Sequence, residues 1–296
     1  MGVSKPCGFC TTYVFNNGCQ TVVGRNRMDK HTKANRDLWD EWTLMHEDSK
    51  EYDVKGFIKG KQTLNPIEVR ELGSVEGKSL LHLQCHFGMD TMSWARLGAE
   101  ATGVDFSEEA IGLAQRLSKQ TGIKAEFIQS NIYDLPKVLD RQYDIVFTSE
   151  GVLIWLPNLT EWAKIISRYL KEGGKFYIRE GHPFSKIFDD EIKTSEFKIR
   201  YPYFTPKEPF HFRGSETYTE STRKIEPMDW YEWNHSVSEI INSLIKAGLR
   251  IDFFNEYSYI SSKILPFLIQ REDGNWILPD DLGEMPLQFT LMATKI

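Results

Sequence analysis

The chain has 296 residues, 41% hydrophobic and 26% charged, the composition of a folded globular protein with room for a sizeable core. A formal net charge of -6 argues against a nucleic-acid partner, whose phosphates call for a basic excess. No run approaches the roughly 20 apolar residues that cross a bilayer, and no basic-then-apolar leader opens the chain, so the expectation is a cytoplasmic protein with no membrane partner.

Residues 1–28 are rich in Gly, Asn, Thr and Cys and hold no helical or strand period, which predicts a disordered extension. Cys7, Cys10 and Cys19 lie there. A Cys-x2-Cys pair without a well-placed second pair does not make a zinc site, so no metal is expected. Residues 29–78 are expected to form an N-terminal helical lid. Leu38, Trp39, Trp42 and Met45 recur at three- and four-residue steps over Thr32–His46, and a loosely patterned stretch follows to Gly77.

A regular alternation then begins. Ser79–Cys85 reads as a buried strand, Met89–Leu97 as a helix stopped by Gly98, and Ala101–Phe106 as a strand. Ser107 caps a helix running to Gly122, followed by strands at Ala125–Ser130 and Tyr143–Ser149. Thr160 is expected to cap a helix ending at Gly173-Gly174, with Lys175–Arg179 the next strand. Strands alternating with helices predict a doubly wound α/β sheet of about seven strands, Rossmann-like, with helices on both faces.

The alternation breaks at residues 183–233, where aromatics crowd between prolines. This is read as an inserted aromatic cap, a short hairpin with loops, over a domain spanning 79–296. Ser236-Val-Ser-Glu239 is a capping box opening a helix to Gly248, Arg250–Phe254 is a strand, and Leu287–Thr294 is the last one.

In such a sheet ligands sit at the carboxyl ends of the strands. The first strand ends in Leu83-Gln-Cys-His-Phe-Gly88, and Gly88 lets backbone approach a ligand at a helix start. Asp105 follows 17 residues later at the end of the second strand, where a carboxylate accepts both ribose hydroxyls of an adenosine. Asn131 is placed for the adenine edge and Ile132 for its face. Glu150 closes strand four beside the cleft and reads as an acceptor-orienting acid or base, or as a surface acid. His82 reads as a hydrogen-bonded core histidine. Its i,i+4 partner His86 does not align with it on a strand, so the pair predicts no metal.

Residues 79–181 resemble a class I S-adenosylmethionine-dependent methyltransferase. Leu80–Gly88 is similar to that family's first motif, Val104–Phe106 to its second, Gln129–Pro136 to its third and Tyr143–Pro157 to its fourth. Leu170-Lys-Glu-Gly-Gly-Lys175 is similar to the turn before strand five. The resemblance implies an antiparallel final strand, a sulfonium cofactor and in-line methyl transfer to a small-molecule acceptor. It departs from the family at the first motif, where His82 replaces an acid and Gln84 and His86 replace two glycines. The words His82-Leu-Gln-Cys-His-Phe-Gly88, Trp94-Ala-Arg-Leu-Gly98, Trp233-Asn-His-Ser236 and Pro286-Leu-Gln-Phe289 resemble one poorly characterised group of small-molecule methyltransferase-like proteins.

The residues expected around S-adenosylmethionine are Gln84, Cys85, His86 and Gly88 from the first motif, Asp105 and Phe106 from the second, and Asn131, Ile132 and Ser149 beyond. Gln84 has both donor and acceptor for the methionine end. Glu150, His182 and Tyr218 are expected to face the acceptor. Two other readings stay open: a binding protein without catalysis, and an RNA or protein methyltransferase. A nicotinamide dehydrogenase is disfavoured because Gly-x-Gly-x-x-Gly is absent after strand one.

Overall fold

The computed structural model describes residues 29–190 and 197–296. The readings made for residues 1–28, the cysteines among them, lie outside the described residues. Helix α1 (Lys30–Glu47) begins at Asp29, whose carboxylate accepts the N–H groups of His31 and Thr32. Leu38, Trp42 and Met45 form its buried stripe. The stretch expected to be loosely patterned holds two helices, α2 (Val54–Ile58) and α3 (Pro66–Leu72). At five and seven residues they are too short for a hydrophobic period to repeat. The sequence does carry a signal for α3, a capping box between Asn65 and Glu68 with Pro66 in the first turn.

The alternation follows: β1 (Ser79–Leu83), α4 (Met89–Arg96), β2 (Glu100–Asp105), α5 (Glu108–Thr121), β3 (Glu126–Gln129), β4 (Tyr143–Thr148), α6 (Leu159–Tyr169) and β5 (Leu170–Gly181). Ser107 caps α5 by accepting the Ala110 N–H. The cap of α6 is Asn158, not Thr160: the Asn158 side chain accepts the Glu161 N–H at 3.0 Å, and Thr160 already lies inside the helix. Gly173-Gly174 does not end that helix. The pair lies within the long β5, where a Cβ on Gly174 would come 2.8 Å from the Lys171 carbonyl oxygen.

After β5 the chain enters the aromatic region, where β6 (Phe210–Gly214) and β7 (Met228–Glu232) form the expected antiparallel hairpin. Helix α7 (Val237–Lys246) starts at Ser236, which accepts the Glu239 N–H. The Glu239 carboxylate does not return to close a capping box; His235 and Thr205 engage it instead. Strand β8 (Leu249–Tyr257) leads into a small antiparallel sheet of β9 (Tyr259–Ile260), β10 (Ile269–Gln270) and β11 (Trp276–Ile277), and β12 (Gln288–Lys295) is last.

Seven strands form the main sheet in the order β3-β2-β1-β4-β5-β12-β8. Strand β1 runs parallel to both β2 and β4, while β12 is antiparallel to β5 and β8. Side-chain alternation along β1 sends Leu81 and Leu83 to the layer of Trp162, Ile166 and Ile240, and Leu80 to the opposite layer of Trp94 and Tyr177. Chain order reverses across β1, so the crevice for a ligand opens at the carboxyl ends of β1, β2 and β4. Helix α1 spans this crevice. Asn35 brackets the Tyr231 backbone of β7 with two 2.8 Å hydrogen bonds, and Asp40 accepts the Ser107 hydroxyl at 2.6 Å. No helix among the described residues is long and apolar enough to cross a membrane.

Candidate active site

The loop from β1 to α4 takes a left-handed backbone at every second residue. Gln84 has φ 57°, His86 φ 51° and Gly88 φ 71°. The first two are the positions where the resemblance places glycines, so the backbone path of a glycine loop survives with side chains that are strained in it. Gly88 itself is irreplaceable by packing: a Cβ there would fall 2.2 Å from the Phe127 ring. The loop is tied to β2 by the Cys85 N–H to the Val104 carbonyl at 2.9 Å.

Asp105 is the hinge of the site. One carboxylate oxygen accepts the His86 N–H at 2.8 Å and the other the Ser107 N–H at 2.9 Å. Burial raises its pKa to about 6, against the pull of these backbone donors. A carboxylate has about four acceptor positions. The Phe106 N–H also acts on the carboxylate, so one position remains for a ligand hydroxyl.

A cavity of about 420 Å³ opens here. Gln84, Cys85, His86 and Gly88 line it from the first loop, Asp105 and Phe106 from β2, and Asn131, Ile132 and Ser149 from the loops after β3 and β4. Glu150 and Tyr218 line it too; His182 does not. Buried Gln84 Oε1 and His86 Nδ1 have no hydrogen-bond partner among the described residues. Two orphaned polar atoms in a lined cavity are what a polar ligand would satisfy. Asn131 uses its Oδ1 on the Tyr133 N–H at 3.0 Å, leaving its amide N–H groups for an adenine edge.

The histidines divide by environment. His82 is a core histidine, with Nδ1 2.9 Å from Thr91 Oγ1 and Nε2 3.2 Å from Ser149 Oγ. Burial lowers its pKa to about 3, so the ring is neutral. His182 departs from its expected place at the acceptor because the chain there still runs along the last strand: its N–H bonds the Leu287 carbonyl at 2.8 Å. Its Nδ1 accepts the Phe184 N–H and its Nε2 lies 2.9 Å from Glu256.

Glu150 reaches the cavity but is bound. Arg179 and Ser261 both donate to it, and Arg179 also pairs with buried Glu68 at 2.9 Å. Burial pushes the Glu150 carboxyl up, yet the Arg179 charge and the hydrogen bonds pull it below the ordinary value. A carboxylate so held orients groups better than it takes protons. Tyr218 arrives from the β6–β7 connection, its hydroxyl against that of Tyr52 and its ring 4.7 Å from His46.

Several lining residues escaped the sequence reading. Tyr52 closes the cavity from the turn between α1 and α2 and Trp155 from the loop after β4, beside Trp39 of the expected helical lid. Asp90, two residues beyond Gly88, is a half-buried carboxylate whose desolvation pushes it above its ordinary pKa, with the Thr63 hydroxyl donating to it at 2.6 Å. Its position in the first turn of a helix reads from sequence as a partner of the helix dipole. Among the described residues no group of three or more His, Cys, Asp or Glu side chains is arranged to hold a metal ion.

A family model described as a methyltransferase domain matches residues 81–178. The ubiquinone biosynthesis O-methyltransferase of Proteus mirabilis is 28% identical over 133 residues, 44% of this chain and 54% of that protein. The protein of the same name from Aeromonas salmonicida is 27% identical over 134 residues, 44% of this chain and 56% of its own. The chain thus spans little more than half the length of these curated relatives. Solved S-adenosylmethionine-dependent methyltransferases share the fold. The one from Clostridium acetobutylicum superposes with a TM-score of 0.53 at 13% identity, covering 87% of this chain and 99% of that one. The one from Mesorhizobium loti gives a TM-score of 0.50 at 17% identity, covering 80% and 100%. Residues 81–178 thus match a methyltransferase domain, and the chain shares the fold of solved S-adenosylmethionine-dependent methyltransferases.

Proposed function

We propose that the chain transfers a methyl group from S-adenosylmethionine to a small-molecule acceptor. The observation that carries this reading is the cavity in which the β1 loop, the β2 carboxylate and the β3 and β4 loops converge around Asp105. In this reading Asp105 holds the ribose through its remaining acceptor position. Asn131 and Ile132 hold the adenine, and Gln84 offers donor and acceptor to the methionine end. Bound there, the cofactor supplies an electrophilic methyl on a sulfonium. The chain's own residues position the acceptor and exclude water, which is most of what a displacement needs.

The name O-methyltransferase carried by relatives supports a hydroxyl-bearing acceptor. Residues 29–78 and 183–233 act in this reading as lid and cap. Helix α1 supports it by its hydrogen bonds to both β7 and the start of α5. A cytoplasmic location belongs to the same reading and rests on the sequence. The acidic balance weighs against an RNA acceptor. The test is calorimetry with S-adenosylhomocysteine, followed by a metabolite screen for its release during turnover. Tight binding without release against any acceptor would favour a binding protein instead.

A further inference from the structure

Three side chains form a line from the cavity to the surface. His86 lines the cavity with an Nδ1 that has no partner among the described residues, and its Nε2 stands 3.0 Å from Nδ1 of His46 on α1. His46 Nε2 stands 2.6 Å from the hydroxyl of Thr217, a partly exposed residue of the β6–β7 connection. The rings are fixed by their neighbours: Trp39 packs edge-on at 5.1 Å from His86, and Tyr52 stacks over both imidazoles. The cavity wall around them is aromatic, with Trp39, Tyr52, Trp155 and Tyr218. The two cations that line it among the described residues are paired, Lys61 with Asp53 and Arg179 with Glu68 and Glu150. Among the described residues an acceptor bearing a carboxylate or phosphate would meet no unpaired cation there, whereas a flat aromatic ring would meet matching faces.

We propose that the acceptor is an aromatic compound methylated on a hydroxyl, and that His86 takes the hydroxyl proton and passes it through His46 to Thr217 and solvent. This rests on the methyltransferase reading above. In the starting state each imidazole carries its hydrogen on Nε2. The acceptor oxygen bonds the methyl carbon as the sulfur–methyl bond breaks, and that electron pair stays on sulfur. The hydroxyl proton goes to His86 Nδ1, the Nε2 proton of His86 goes to His46 Nδ1, and the Nε2 proton of His46 leaves by way of Thr217. One proton enters the line and one leaves, and both rings end neutral with their hydrogens exchanged between nitrogens. The ionisable groups facing the pair are Asp105 behind the His86 N–H, Tyr52 and Tyr218 over the rings, and Asp90 across the cavity. Burial lowers the pKa of His46 to about 3, and burial with the neighbouring His46 lowers that of His86. Neither ring then keeps a second proton, so uptake at His86 Nδ1 has to be coupled to release through His46.

The experiment compares catechol with 4-nitrocatechol, whose nitro group makes its first hydroxyl far more ionised than catechol's at neutral pH. Methyl transfer is followed in the full chain and in His86→Asn, His46→Gln and Thr217→Val. Asn tolerates the left-handed backbone of position 86. S-adenosylhomocysteine affinity is measured first in each protein. The expected result on catechol at pH 7 is a kcat loss of roughly a hundredfold in the two histidine variants, the usual scale of acid–base assistance. Thr217→Val loses less, and in each histidine variant the loss on 4-nitrocatechol is smaller than the loss on catechol by about tenfold or more. The catechol rate of His86→Asn also recovers as pH rises toward ionisation of the acceptor. Equal loss on both acceptors, or no loss on either, overturns the relay. No transfer to either catechol by a protein that binds S-adenosylhomocysteine overturns the acceptor class. Failure to bind S-adenosylhomocysteine overturns the methyltransferase reading instead.

Discussion

Asp105 Oδ2 accepts the backbone N–H of His86 at 2.8 Å, so the carboxylate assigned to the ribose also anchors the strained loop assigned to the methionine end. Two motifs that are separate in sequence therefore respond to one protonation.

The pH dependence follows from burial, which raises the Asp105 pKa to about 6 from an ordinary 3.8. Above that value the ionised group accepts from both backbone and ligand. Below it an acceptor is lost, so affinity for S-adenosylhomocysteine should fall between pH 7.5 and pH 5. Stability moves the other way. The folded state binds this proton more tightly than the unfolded chain, so the cost of the buried charge is full above about pH 6 and shrinks as pH falls toward 4. Calorimetry and urea unfolding at the two pH values, each against Asp105→Ala to remove other titrations, check both signs.

Gln84→Gly should stabilise the fold while weakening the site. At φ 57° a Gln is strained, its Oε1 is buried without a partner among the described residues, and its hydrogen bond to Val152 is long at 3.3 Å. Relief of about 1 kcal/mol is expected. For a chain of this size that corresponds to about 2 °C in Tm. Differential scanning calorimetry reads the stability, and S-adenosylhomocysteine titration reads the loss of the side chain's donor and acceptor.

Gly88→Ala should be severe. The added methyl meets Phe127 at 2.2 Å, and φ is 71°. Overpacking and left-handed strain together cost about 2–4 kcal/mol. Phe127→Leu in the same chain should restore part of this, because it clears the collision but not the backbone strain. Urea unfolding of the single and double variants measures the difference.

The Glu68–Arg179–Glu150 network predicts an asymmetry. Arg179→Met leaves Glu68, 1% exposed, as an unpaired buried carboxylate, at a cost of about 3–5 kcal/mol. Glu150→Gln keeps hydrogen bonding to Arg179 and Ser261, and Arg179 keeps Glu68, so its cost should be below about 1.5 kcal/mol. Equal destabilisation by the two substitutions would refute this ordering.

The strand-end residues were legible because apolar runs fix where each strand stops, and a parallel sheet brings those ends together. Cys85, Asp105, Asn131 and Ser149 needed no knowledge of loops to be placed at one cleft. His182 was misjudged because β5 runs on beside β12 to Gly181, carrying the next residue past the crevice. Tyr52 and His46 enter the site through packing of α1 and the chain after it onto the core, a long-range contact with no local pattern. The strands β9, β10 and β11 have two residues each, too few for alternation to show.

Isothermal titration of S-adenosylhomocysteine into the full chain and into Asp105→Ala tests the central claim most directly. Wild type should bind, and the variant should lose roughly 1.5–3 kcal/mol, the scale of hydrogen bonds to a charged group. That is tenfold or more in Kd, on the order of the affinity step per 1.4 kcal/mol. No binding to wild type at millimolar ligand would contradict the methyltransferase reading, and equal binding by both proteins would contradict the placement of the ribose on Asp105.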